Sequence, residues 1–250
     1  MNVIVVSASR GAASSQLAAE GHYACELARL GCTVRWLPVV AAPDRLPEPG
    51  PGVRLEPIVS RPPGFVAVAS RVLDAIADQA VACAVAAELP DVVHILGLGG
   101  TASVNLAWMA NRLGARAVVS ADAHQVVCHR GDLRFAGRTE CTEWREPARC
   151  AACTGIAAPG GIGPVRALLG RALAACRSPY DPRPVQGNFR NRTELVLGGV
   201  LVADLLWVGS AQDRDRLAAF GVRRERVEID PENAALRLER LRSLVRRGDS

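Results

Sequence analysis

Short, continuous runs of apolar and β-branched residues alternate with helix-like segments along much of this 250-residue chain. The clearest strand-like runs are 2–7, 91–96 and 115–120, and the helix-like segments beside them are 14–30, 65–89 and 101–113. Runs without polar alternation are typical of strands buried on both faces of a parallel sheet. Because helices join them, the pattern predicts an α/β fold with a single doubly wound, Rossmann-like parallel sheet and helices on both faces.

Composition and charge divide the chain into parts. Hydrophobic residues make up 49% of it, which is typical of a globular protein. We predict one domain over 1–233, interrupted by a long, irregular, cysteine-rich loop at 122–163, and a basic amphipathic helix or tail at 234–250. The segment 234–247 holds five arginines against one glutamate and so carries most of the net charge of +5. The remainder is nearly neutral, which argues against nucleic-acid binding.

The terminal segment also has an apolar side, formed by Leu236, Leu241, Leu244 and Val245. Such a helix is compatible with docking on an acidic partner, with peripheral contact to an anionic membrane, or with a solvated arginine-rich surface. The sequence shows no secretory signal and no apolar stretch of transmembrane length. These features predict a cytoplasmic protein, with peripheral contact at the inner membrane face as an alternative.

Four cysteines fall in the irregular loop: Cys128, Cys141, Cys150 and Cys153. Their spacing is C-x12-C-x8-C-x2-C, and four thiolates suit a tetrahedral structural zinc ion. In a reducing cytoplasm, metal binding is favoured over disulfides. Free or partly paired thiols and redox or iron–sulfur chemistry are the alternatives.

A glycine-rich turn, Gly97-Leu-Gly99-Gly100-Thr-Ala102, follows a predicted strand and opens a predicted helix. It fits a G-x-G-x-x-A dinucleotide fingerprint, and Asp122 ends the next strand where a ribose-binding carboxylate is expected. A purely structural turn is the favoured interpretation, and a phosphate or sugar contact and NAD binding are the alternatives, in that order.

Asp122 and His124 follow directly on a strand end, where open α/β sheets place their ligand crevice. A carboxylate or imidazole there is a candidate general base, with Asp122 favoured over His124. A helix-capping or loop-stabilising aspartate is the alternative. His94 lies inside a buried strand and is interpreted as a core histidine with its hydrogen bonds satisfied.

The order of several motifs resembles family 4 glycosyltransferases. The resemblance runs through Asp91-Val-Val-His-Ile, Arg112-Leu-Gly-Ala, Ala117-Val-Val-Ser, Val127-Cys128-His-Arg-Gly and the later loop cysteines. It continues at Ala203-Asp-Leu-Leu-Trp-Val-Gly-Ser210 and ends near Asn233. The matched part is the N-terminal, acceptor-side domain of the two-domain GT-B fold, in a subgroup with a cysteine-bearing loop.

The resemblance implies transfer of a hexose-type sugar from a nucleotide-sugar donor to an acceptor hydroxyl. It places Gly11, Gly99, Gly100 and Ser210 near the substrates. Asp122 and Ala123 stand where such enzymes usually carry a histidine followed by aspartate. The histidine role therefore does not transfer, and Asp122 becomes the acidic substitute.

The sequence shows no second, nucleotide-sugar-binding domain. The expected partner is therefore a second chain that supplies the donor site, which would make the enzyme a heteromer, or a further copy in a homo-oligomer. A non-catalytic accessory or binding protein on the same fold is the main alternative. An NAD(P)-dependent oxidoreductase is the third.

Overall fold

The computed structural model describes residues 1–8, 14–40, 46–60, 73–97, 103–129, 131–135, 139–141, 146, 149–150, 153, 183–231 and 233–248. The glycines at 11, 99 and 100, which the resemblance places near the substrates, lie outside these residues.

The described strands are β1 (Asn2–Ala8), β2 (Thr33–Val40), β3 (Val53–Leu55), β4 (Ile58–Val59), β5 (Val92–Leu96), β6 (Arg116–Ser120), β7 (Arg134–Phe135), β8 (Thr139–Glu140), β9 (Leu205–Val208) and β10 (Val227–Ile229). The described helices are α1 (Ser14–Arg29), α2 (Ala75–Glu88), α3 (Asn105–Arg112), α4 (Ala123–Val127), α5 (Arg183–Leu201), α6 (Ala211–Phe220) and α7 (Ala234–Gly248).

Eight strands form one sheet in the order β10-β9-β6-β5-β1-β2-β3, with β4 also paired to β2. Every pair in this sheet is parallel. The chain builds the sheet outward from β1 in one direction as far as β4 and then in the other direction from β5. This confirms the predicted doubly wound, Rossmann-like α/β fold and puts its topological switch point between β1 and β5.

Both faces of the sheet are buried, which explains the uninterrupted apolar strands. On one face, Val3 and Val5 of β1 pack in a cluster with Leu27 of α1 and Leu241 of α7. On the other face, Ile4 and Val6 belong to a cluster built with residues of α2, α3, α5 and α6. Because successive side chains of a strand point to opposite faces, both positions of each strand must be apolar.

One predicted helix and one predicted loop differ from the structure. Within the helix predicted at 65–89, residues 73 and 74 are not helical, and α2 begins at Ala75 because Asp74 is its N-cap. The Asp74 carboxylate accepts hydrogen bonds from the amides of Ile76 and Ala77, each at 3.1 Å, and residues 61–72 lie outside the described part of the chain. The loop at 122–163, predicted to be irregular, contains α4 and a small antiparallel hairpin of β7 and β8.

The terminal helix α7 packs against α1 of the same chain. Leu241 is fully buried, and Leu244 and Val245 pack against the same core, whereas Leu236 is 52% exposed. Most of the predicted apolar side is therefore used inside the domain. No helix in the described part of the chain has the length and apolar character needed to cross a bilayer.

Helices α3 and α5 approach closely at Gly199. A Cβ atom added there would lie 2.6 Å from the carbonyl oxygen of Val104, which is too close for contact. We expect Gly199→Ala to lower the free energy of unfolding by about 1–3 kcal/mol, because either helix must shift to make room. Urea denaturation measures this change.

Gly198, the preceding residue, supplies a matched control. No described atom of a neighbouring segment lies within 4 Å of a Cβ built at Gly198. Gly198→Ala should therefore raise the free energy of unfolding by up to about 1 kcal/mol, through helix propensity alone. Equal destabilisation by both substitutions would contradict the assignment of the close contact to Gly199.

Candidate functional site

A cleft of about 640 Å³ opens at the carboxyl edge of the sheet, beside the switch point. Its described walls come from α1, α4, α6, α7 and the ends of β5, β6, β9 and β10. The polar side chains that line it are Gln16, Glu20, Tyr23, Ser120, Asp122, His124, Gln125, Asp213, Asp230 and Arg237. Open α/β sheets bind their ligands at this position, and the volume suits a small organic molecule.

Asp122 lies at the mouth of this cleft, two residues after β6 ends. Its Oδ1 accepts a hydrogen bond of 2.8 Å from the backbone amide of His124 and so caps α4. The side chain is nevertheless 50% exposed. One carboxylate therefore both caps a helix and faces the cleft, and its role as a general base stays a prediction.

His124 lies beside Asp122, but its hydrogen bonding gives it a different role. Its Nε2 is 2.7 Å from an Nη1 of Arg216, and a guanidinium can only donate. Nε2 is therefore the acceptor, and the neutral ring carries its proton on Nδ1, 4.0 Å from Oδ1 of Asp122. Because the basic nitrogen is already occupied, Asp122 is the better candidate for a general base.

Ser210 caps α6 and is tied into the same group of charges. Its Oγ accepts from the amide of Asp213 at 3.1 Å and donates to the Asp213 carboxylate at 2.8 Å. The other oxygen of that carboxylate accepts from Arg216 at 3.0 Å. The Ser210 hydroxyl is thus committed to the cap, and the cleft lining contains its neighbour Gly209 instead. A substrate contact by Ser210 stays a prediction.

His94 is fully buried in β5 and lies behind two residues of the cleft lining, Tyr23 and Ser120. Its Nδ1 is 2.8 Å from the hydroxyl of Tyr23, and its Nε2 is 2.8 Å from the hydroxyl of Ser120. Burial lowers the pKa of His94 to about 3, helped by the nearby positive charge of Arg237. His94 is therefore a neutral core histidine with both nitrogens hydrogen-bonded, as the sequence indicated.

Arg237 of α7 forms part of the cleft wall. It makes two hydrogen bonds to the Asp230 carboxylate, at 2.7 and 2.8 Å, and its guanidinium lies 5.0 Å from the ring centre of Tyr23. Burial raises the pKa of Asp230, and the charge of Arg237 opposes this shift. The Asp230–Arg237 ion pair holds α7 at the cleft, and both residues form part of the cleft wall.

Two of the four loop cysteines contact the segment around β7. The amide of Cys141 donates to the carbonyl of Leu133 at 2.7 Å, and the thiol of Cys153 donates to the carbonyl of Arg134 at 3.7 Å. Burial raises the pKa of Cys150 to about 12, with further increases from the thiols of Cys128, Cys141 and Cys153.

Proximity alone does not make this group a metal centre. Among the residues that the structure describes, no three or more His, Cys, Asp or Glu side chains are arranged to hold a metal ion. The zinc site predicted from the cysteine spacing is therefore not supported by the geometry.

Sequence reasoning missed several residues of the cleft. Ser120 ends a predicted strand, so the rule that ligands bind at strand carboxyl ends was sufficient to identify it. Asp230 directly follows β10, so the same rule applies to it. Tyr23 and Arg237 carried no such signal, because they meet only through the packing of α7 on α1. The predicted glycines at 11, 99 and 100 fall on residues that are not described.

No protein-family model matches the sequence, and no curated protein matches it. Among solved structures, UDP-GlcNAc 2-epimerase from Methanocaldococcus jannaschii is 12% identical, with 92% of this chain and 45% of that chain covered and a TM-score of 0.43. The epimerase from Neisseria meningitidis bound to UDP-GlcNAc is 10% identical, with coverage of 97% and 50% and a TM-score of 0.46.

A UGT transferase from Siraitia grosvenorii in complex with UDP is 15% identical, with coverage of 88% and 48% and a TM-score of 0.41. The chain thus spans about half the length of the solved structures that it matches. The doubly wound fold follows from the strand order, and the resemblance to family 4 glycosyltransferases stays a prediction.

Arg192 of α5 holds the end of α4, and with it the position of Asp122 and His124. Its buried guanidinium donates to the carbonyls of Gln125, Val126 and Cys128, at 2.7, 3.2 and 3.4 Å. We expect Arg192→Ala to lower the free energy of unfolding by about 2–3 kcal/mol, because charged hydrogen bonds to buried carbonyls are lost.

Arg190, which is exposed on the same helix, is the control. Arg190→Ala should change the free energy of unfolding by less than about 0.5 kcal/mol. Chemical denaturation of both variants measures the difference, and a loss of equal size in both would show that the carbonyl contacts of Arg192 do not stabilise the fold.

Proposed function

We propose that this chain forms the acceptor-side domain of a GT-B sugar transferase, which moves a sugar from a nucleotide sugar to an acceptor hydroxyl. The observation that carries this proposal is the cleft at the switch point, where the Asp122 carboxylate lies at a strand end. The ordered resemblance to family 4 glycosyltransferases supports the same reaction class.

In this reaction Asp122 acts as the general base. It accepts the proton of the acceptor hydroxyl while that oxygen bonds to the anomeric carbon of the donor sugar, and the nucleoside diphosphate leaves with the electrons of the broken bond. Nδ1 of His124 lies 4.0 Å from Oδ1 of Asp122, and Arg216 holds the His124 ring through Nε2. His124 and Arg216 are thus positioning residues.

The charge of the described cleft supports an acceptor role. Glu20, Asp122, Asp213 and Asp230 line it, and Arg237, the arginine in the lining, is already bonded to Asp230. Carboxylates accept hydrogen bonds from sugar hydroxyls, whereas a diphosphate needs cations or free amide groups. A hydroxyl-rich acceptor therefore fits these residues better than a nucleotide does.

The donor site then comes from a second domain, and we propose that a partner chain or a second copy supplies it across the open cleft. Affinity purification of the full chain from its host, followed by mass spectrometry, tests this arrangement. The expected result is a co-purifying chain with a nucleotide-sugar-binding domain, or a stable homo-oligomer. Sugar transfer by the purified chain as a monomer would contradict it.

Asp122→Asn tests the base directly, because asparagine keeps the capping oxygen and loses the proton-accepting charge. In the purified complex, we expect this substitution to lower kcat by about a hundredfold or more, with less than about 0.5 kcal/mol change in the free energy of unfolding. A screen of nucleotide sugars, beginning with UDP-GlcNAc, identifies the donor for this assay.

Asp122→Ala is the companion variant, since it removes both the base and the cap. It should lose the same activity and also about 1 kcal/mol of stability. Unchanged turnover in both variants would remove Asp122 from catalysis. Acceptor binding without any turnover in the wild-type complex would favour a non-catalytic accessory protein instead.

We also propose, from the spacing of the four loop cysteines, that their thiols bind one zinc ion, and this requires the thiols to rearrange into a tetrahedral site. Protein purified without added zinc should hold about one equivalent, and Cys150→Ser should lose it. Cys83→Ser, at an exposed position outside the loop, is the control and should retain the metal. A wild-type content below about 0.2 equivalents by elemental analysis would rule out the site.

A further inference from the structure

We propose that the buried His94 fixes the direction of the Ser120 hydroxyl, so that Ser120 presents its hydrogen to the cleft as a donor for an oxygen atom of the ligand. The identity of that ligand as a sugar acceptor rests on the proposed function. The direction of the hydroxyl does not, because it follows from the hydrogen bonds of Tyr23, His94 and Ser120.

The first step is the tyrosine hydroxyl. Tyr23 is almost completely buried, and Nδ1 of His94, at 2.8 Å, is its only hydrogen-bond partner among the described residues. Burial raises the pKa of Tyr23, so the phenol keeps its proton. A buried hydroxyl hydrogen needs an acceptor, and Nδ1 is the acceptor present.

The second step is the imidazole. The ring is neutral and carries one proton, and Nδ1 is occupied as an acceptor, so the proton lies on Nε2. Nε2 then donates to Oγ of Ser120 over 2.8 Å. Edge-on contacts to the rings of Tyr23 and Trp207, with centroids 5.3 and 5.1 Å from that of His94, hold the imidazole in this orientation.

The third step is the serine. Its oxygen accepts from Nε2, and its own hydrogen has no acceptor among the described residues. Ser120 is the last residue of β6, is partly exposed and lines the cleft. Its hydrogen is therefore available to a bound molecule.

Ser120 and Asp122 together form a complementary pair in the cleft lining. Ser120 donates a hydrogen bond, and the Asp122 carboxylate accepts one. A hydroxyl group can satisfy both, because it has one hydrogen to give and lone pairs to receive. The pair thus selects an alcohol as the reacting or anchoring group of the acceptor, and Ser120 is a specificity-determining residue.

The tautomer of His94 tests the hydroxyl assignment without any ligand. In ¹⁵N-labelled full-length protein, nuclear Overhauser contacts to the Tyr23 and Trp207 rings identify the His94 signals. We expect Nε2 of His94 to be protonated and Nδ1 to be unprotonated. Neither nitrogen should titrate between pH 7 and about 5, because burial disfavours the charged ring. A ring protonated on Nδ1 would overturn the inference.

Tyr23→Phe removes the phenol donor and keeps the ring. In this variant, the Nε2-protonated tautomer should lose its preference, and the Nδ1-protonated form should be observed. If the variant does not fold, the wild-type spectrum alone decides the question. An unchanged tautomer in folded Tyr23→Phe would show that Tyr23 does not set the ring proton.

Sugar transfer by the complex tests the ligand contact. Ser120→Ala should lower kcat/KM about tenfold, as expected for one lost hydrogen bond, and Ser120→Thr should restore most of it by returning the hydroxyl. Equal activity of wild type and Ser120→Ala would overturn the contact. A complex without transfer activity but with the Nε2-protonated tautomer would contradict the proposed function and leave the hydroxyl assignment intact.

Discussion

Burial of the parallel sheet on both faces is the constraint on which the rest of this structure depends. It makes the strands continuously apolar, so almost no polar group is tolerated along their length. Polar side chains that can contact a ligand therefore lie at the strand ends. Strand β6 shows this most clearly, because its apolar run is followed by Ser120 and then Asp122. Ser7 and His94 are the buried polar residues within the described strands. Ser7 is tolerated because its Oγ accepts from Nε1 of Trp36 at 2.7 Å, and His94 because two hydroxyls satisfy both of its ring nitrogens.

Two carboxylates of the cleft lining are paired with arginines. Asp213 is bonded to Arg216 on one side, and Asp230 is bonded to Arg237 on the other. These partly buried pairs fix the walls, whereas Asp122 keeps its solvent contact because it shares only one capping bond with α4. The wall residues therefore give shape and polarity, and the half-exposed Asp122 carboxylate is the group on which the proposed reaction depends.

The sequence predicted the sheet and the position of Asp122 and His124, because hydrophobic periodicity and the strand-end rule are local signals. It did not predict that His124 is held through Nε2 by Arg216, a contact between residues 92 positions apart. It also missed the Asp230–Arg237–Tyr23 group, which exists only because α7 packs on α1. The predicted helix at 65–89 ran through Asp74, which is instead the N-cap of α2, although aspartate is a strong N-cap and its position was a usable signal.

The cleft wall that joins Tyr23 to Arg237 brings together residues that are 214 positions apart in the sequence. During synthesis, α1 leaves the ribosome before strands β2 to β10, and Arg237 leaves it after them. The central strands can pair before then, but this wall is completed only when α7 reaches α1 and Asp230. The cleft is thus a property of the whole folded chain: a fragment that ends before α7 retains Asp122 and Ser120 and lacks one side of the enclosure.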